Sequence, residues 1–263
     1  MLSQIAAVQS ALWALSQATL AILLVRLLLS RNYVRYPFFF VYLFLNLVQG
    51  GILFIAYSLL GFEGTRSFGI AWFTQGLVLG ARGLAVAELY RRILSTYRGI
   101  WALATRLLAT SALIITMYSL YAADWRWKRA VVLADRAVEL AIASFIVALF
   151  VFARYYRVPV SQPDRYLALG FCIYSCSVVL STSLLERFYS SYRPAWNLPL
   201  QLTFLVTLMV WLKALWSPLP ATTKQAGLVK ASVYQELSPA INLRLRMLNE
   251  QLLAFWRTKV PHL

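Results

Sequence analysis

The chain has 263 residues, 61% of them hydrophobic and 13% charged, with 9 Trp, 15 Tyr, 15 Phe and a net charge of +16. A water-soluble domain of this length carries about 25% charged residues, so the composition excludes a soluble globule. The cations recur in short clusters between apolar segments instead of forming one basic face, which argues against nucleic acid as the partner and for a membrane protein whose basic residues set its topology.

Seven apolar segments reach the ~20 residues that a bilayer requires. In chain order they are 5–29, 37–59, 69–91, 100–122, 131–153, 166–185 and 197–216. The first is read as a retained helix and not a signal peptide. It has no basic n-region and runs into Arg26, Arg31 and Arg35 without a small-residue cleavage pattern. The third carries Arg82, and the fifth carries Asp135 and Glu139. The sixth holds Cys172 and Cys176, four residues apart, which read as small packing residues on neighbouring helical turns and not as a disulfide. Residues 1–216 thus form a seven-helix transmembrane domain. Residues 217–237 follow as a linker that opens "SPLPATTKQ".

Residues 238–259 then read as an amphipathic helix, with Ser238 as N-cap and Pro239 in its first turn. Ile241, Leu245, Leu248, Leu252 and Phe255 form one stripe, which Trp256 extends. Such a helix docks at a membrane interface or pairs with a partner helix, including that of a second copy.

Orientation follows from the connections. One side carries Arg26, Arg31, Arg35, Arg91, Arg92, Arg98, Arg154, Arg157 and Arg165, together with the seven Lys and Arg from Lys213 to Lys259. The other side carries only Arg66, Arg126, Lys128, Arg129, Arg187 and Arg193. The excess places the N-terminus outside and the C-terminus in the cytoplasm, with anionic lipids facing the basic side.

Three groups of residues stand out. Arg82 lies far from either end of its segment, where a guanidinium costs between ~3 and more than ~10 kcal/mol unless it is paired or hydrated. Glu139 and Asp135, one turn apart on the fifth segment, are its expected partners within the bundle. Gly76, Gly80, Gly83 and Ala87 recur at spacings of 4, 3 and 4 and predict a close-packing seam on the third helix. Glu88, Arg92 and Arg106 predict a charge cluster at the inner ends of the third and fourth helices.

No catalytic set is legible. His262 is the sole histidine, so neither a metal site nor a Ser-His-Asp triad assembles. The chain is therefore read as a non-enzyme without cofactor or metal.

"RNYVRYPFFFVYLF" (31–44), "AELYRRILSTYRGI" (87–100) and "RLRMLNEQLLAFW" (244–256) together resemble a bacterial family of seven-helix integral membrane proteins with no assigned activity. The resemblance implies an inner-membrane location. A shorter internal echo, "RNYVRYP" (31–37) after the first helix and "RYYRVPV" (154–160) after the fifth, is what a three-plus-one-plus-three helix arrangement would leave. Two functions follow. A sensor or membrane scaffold, the favoured reading, predicts Arg82 packed against its carboxylate and away from water. A carrier for small anionic solutes predicts a water-accessible cavity around Arg82.

Overall fold

The computed structural model describes residues 2–61, 64–95, 98–155, 158, 160–192 and 197–216, and residues 243, 247, 248, 250, 251 and 254 of the tail. Among these it is all helical. The seven long helices are α1 (Leu2–Leu29), α2 (Pro37–Leu60), α3 (Thr65–Leu94), α4 (Arg98–Ala122), α5 (Trp127–Tyr155), α6 (Gln162–Tyr192) and α7 (Asn197–Leu215). Each is long and apolar enough to cross a membrane, with mean hydropathy from 1.3 in α3 to 2.1 in α2 and α5. α3 is the least apolar because its span includes Arg66, Gln75, Arg82, Glu88, Arg91 and Arg92.

The ends of the helices have local causes. Pro37 opens α2, where a missing N–H costs nothing. Arg31, at φ 54°, takes the left-handed conformation that breaks α1, and a 3-10 turn (Asn32–Val34) then redirects the chain. α4 ends in a turn where Asp124 and Trp125 adopt φ 52° and 59°. α6 begins at Gln162, four residues before the apolar run. Ser161 Oγ receives the Asp164 N–H at 3.3 Å and donates to the Asp164 carboxylate, a reciprocal cap that starts the helix in polar sequence.

α1, α2, α3, α5, α6 and α7 form a closed ring in that order, with α7 returning to α1, and α4 lies outside against α3 and α5. α3 touches four helices: α2, α4, α5 and α6. Large apolar residues such as Ile22, Phe54, Phe73 and Val151 point outwards, as they must where the surrounding solvent is hydrocarbon. We call the end where α1, α3, α5 and α7 begin the head, and the end where they finish the base.

Inside the ring, the base half is apolar. Phe39 and Tyr42 of α2, Phe171 of α6 and Trp211 of α7 pack ring to ring with centroids 4.9–6.4 Å apart, among Leu20, Leu27, Ile146 and Leu208. The Trp211 indole N–H donates to the Leu167 carbonyl at 3.2 Å, so the largest buried side chain leaves no polar atom unsatisfied.

The expected glycine seam on α3 is not where helices approach most closely. A Cβ on Gly80 or Gly83 would meet nothing within 4 Å, and one on Gly76 would sit at an ordinary 3.6 Å from Val131; Ala87 is half-buried. The reason is angular. Arg82 lies roughly 130° round α3 from that stripe, and burying the guanidinium in the ring turns the glycines outwards. The close approaches are instead at Gly50, against the Gln17 amide, and at Gly170, against the Trp211 indole. The linker 217–237 lies outside the described residues, as do Ile241, Leu245, Leu252, Phe255 and Trp256. Of the predicted stripe, Leu248 is described, and it packs half-buried against the bundle core.

Candidate functional site

Arg82 projects into the ring at the boundary between the apolar base half and the polar head half. It is 2% exposed and ion-paired to Glu139 of α5, which is 0% exposed. Ser175 of α6 donates to the other carboxylate oxygen at 2.6 Å. The guanidinium carbon also lies 5.5 Å from the Tyr42 ring centroid and 4.8 Å from that of Tyr174. Four helices thus converge on one cation. A paired carboxylate and two ring faces replace the hydration that a buried guanidinium loses, and the Ser175 hydroxyl does the same for the carboxylate.

Asp135 does not share the pair. Its carboxylate accepts from the Gln75 amide at 3.0 Å. Gln75 in turn accepts from Gln49 at 3.1 Å, and Gln49 also donates to Thr74 at 3.4 Å. This amide chain crosses α2, α3 and α5 about one to two turns towards the head from Arg82. Asp135 still acts electrostatically on both Arg82 and Tyr174, so it faces the ring interior.

The predicted inner cluster of Glu88, Arg92 and Arg106 resolves into separate contacts. Glu88 accepts the Phe39 backbone N–H at 3.0 Å, in the first turn of α2, where free N–H groups and the positive helix end both favour a carboxylate. Arg92 turns away to Asp164, at 3.2 Å, and to the Arg35 carbonyl, at 2.9 Å, while its guanidinium stacks 4.4 Å from the Tyr36 ring. Arg106 stands exposed on α4. The start of α2 and the start of α6 each need an acidic neighbour, so the charges divide between them.

Asp164 was not singled out in the sequence, although "SQPD" at 161–164 has the spacing of a helix cap. It receives Ser161, Arg92 and the Tyr36 hydroxyl, the last at 2.8 Å. Burial, and then the Asp164 charge, push the Tyr36 phenol above its ordinary range, so it stays a neutral donor. Beside this joint, Arg26 donates to the Trp216 carbonyl at 2.6 Å and Asn32 to Leu215 at 3.5 Å, which caps the end of α7.

Family models, curated proteins and solved structures were compared with the chain, and none matches. The bacterial family resemblance of the three quoted segments therefore has no counterpart among family models. Fold and interior together define the class: a multi-pass, all-helical membrane protein with seven candidate spans and an ion pair buried between two of them.

Proposed function

We propose that this protein is a seven-helix sensor or scaffold of a bacterial inner membrane, with the head outside and the base on the cytoplasmic side. The observation that carries the reading is Arg82, sealed from solvent between Glu139, Tyr42 and Tyr174. A carrier that uses this arginine for an anionic solute needs it hydrated, whereas a sensor or scaffold needs it held. The basic residues at the base meet anionic lipids in this reading, and the C-terminal helix offers a docking element to a partner protein or a second copy.

A second reading, a small-solute carrier, is favoured by one feature. The ring keeps its neighbour order when α1–α3 and α5–α7 are exchanged, with α4 left outside as a linker.

Cysteine accessibility separates the two. In a chain with Cys172 and Cys176 changed to Ser, Ser175→Cys is treated in intact cells with a membrane-impermeant maleimide, and Trp125→Cys serves as the exposed control. The sensor or scaffold reading expects Trp125→Cys to label from outside and Ser175→Cys to stay unlabelled. Labelling of Ser175→Cys would favour the carrier, and an unlabelled Trp125→Cys would reverse the orientation.

A further inference from the structure

The interior stripe of most ring helices changes character at the depth of Arg82. Towards the base, α1 presents Leu20, Leu24 and Leu27, α2 presents Phe39 and Leu43, and α7 presents Leu208 and Trp211. Towards the head, the same faces carry Gln17 on α1, Asn46 and Gln49 on α2, Gln75 on α3, Asp135 on α5 and Gln201 on α7. Apart from its hydrogen bonds, this polar layer has a charge imbalance. Arg82 is the one cation that the described residues place in it, whereas Glu139 and Asp135 supply two carboxylates. Glu139 takes the arginine. Among the described residues, the ion pairs are Arg82–Glu139 and Arg92–Asp164, so Asp135 has none.

Among the described side chains, charged groups on the packed elements do not correct this. Arg136 is exposed on another face of α5 and donates to Ser183 at 3.4 Å, and Arg66 at the start of α3 is exposed. A carboxylate without an ion pair of its own inside a bundle of spanning helices is costly. Its neighbour is the Gln75 amide, which donates to it and whose carbonyl oxygen accepts from Gln49, with the Thr74 hydroxyl next along the chain. In the same layer, the Gln201 side-chain carbonyl of α7 is buried with no hydrogen-bond partner among the described residues. One excess negative charge in a layer of amide and hydroxyl groups suits a small cation of single charge.

We propose that the head half of the ring interior, centred on Asp135 with Gln75, Gln49 and Thr74, binds a small monovalent cation, either an alkali ion or the ammonium group of a small solute. This deepens the sensor reading and rests on a ligand entering from the head. It also reverses the sign of the ligand expected from Arg82 alone, because Glu139 already satisfies that arginine.

The test is thermal unfolding of the purified full-length protein in detergent. It is titrated with sodium, potassium or methylammonium chloride, with choline chloride holding the ionic strength constant. The expected result is a saturable rise in unfolding temperature with at least one small cation, abolished in Asp135→Asn and retained with altered affinity in Asp135→Glu. Sodium or potassium against methylammonium distinguishes the ion from the ammonium head. No cation-specific rise in the wild type overturns the proposal, as does an undiminished rise in a folded Asp135→Asn. If Asp135→Asn does not fold, loss of the rise in Gln75→Leu supports the site and an unchanged rise overturns it. Failure here with Ser175→Cys unlabelled removes the cation site and leaves the sensor reading. Success with Ser175→Cys labelled keeps the site and removes that reading.

Discussion

Arg82 is buried at a depth where hydrocarbon surrounds the bundle, and magnitudes decide what holds it there. Two ring contacts contribute about 0.5–2 kcal/mol each, which does not match a burial cost between ~3 and more than ~10 kcal/mol. The Glu139 carboxylate has to supply the balance. Breaking such a pair leaves an unpaired buried charge and costs about 3–5 kcal/mol. Arg82→Glu and Glu139→Arg are therefore each expected to lower folded yield in the membrane and the unfolding temperature in detergent. The double swap should recover much of the loss, and Arg82→Met with Glu139→Leu should fold, because neither leaves a lone charge. A Glu139→Arg variant as stable as the wild type would remove the pair from the account of the fold. The partner of Arg82 was legible in the sequence because depth and helix period bring Glu139 within reach. The roles of Tyr42 and Tyr174 were not, since periodicity says nothing about which face of a different helix meets the arginine.

At the scale of the element, spacing alone misassigned the glycines. Gly76, Gly80 and Gly83 form a stripe on α3, yet Gly50 of α2 and Gly170 of α6 are the positions where a neighbour's side chain occupies the space of a Cβ. Gly80→Ala and Gly83→Ala are expected to be neutral or to stabilise by up to about 1 kcal/mol, from helix propensity alone. Gly170→Ala is expected to destabilise by about 1–3 kcal/mol, as overpacking against a fixed Trp211 requires. The check is the unfolding temperature of the three variants in one detergent. The reverse order would mean that α3 packs through its glycines. Helix boundaries were clear wherever apolar sequence sets them, as in α1, α2, α4 and α7. α6 starts earlier than its hydropathy suggests because a side-chain cap, Ser161 with Asp164, governs its first turn.

Over the whole molecule, the base joint ties the α1–α2 turn to the end of α3 and the start of α6 through Tyr36, Arg92 and Asp164. Its pH response has a definite sign. The folded protein holds the Tyr36 phenol neutral beyond the ordinary tyrosine range of about pH 10, whereas the unfolded chain ionises there. The folded state then binds more protons above about pH 10, so the stabilisation is complete below that value and is lost progressively as pH rises beyond it towards the raised folded-state range. Tyr36→Phe should reduce stability at neutral pH and flatten the alkaline decline, as read by unfolding temperature between neutral and strongly alkaline buffer. An unchanged alkaline slope would place the titrating group elsewhere.

By itself the sequence determined that the chain has seven segments long and apolar enough to cross a membrane, where they lie and which charge within them needs a partner. Each of these follows from local composition and helix period. Only the tertiary structure decided that α4 stands outside the ring, that Asp164 and not Glu88 receives Arg92, and that Asp135 meets Gln75 and, among the described residues, forms no ion pair. Those outcomes depend on the order of helices around the ring. Distant segments meet there, and each charge takes the nearest group that can satisfy it.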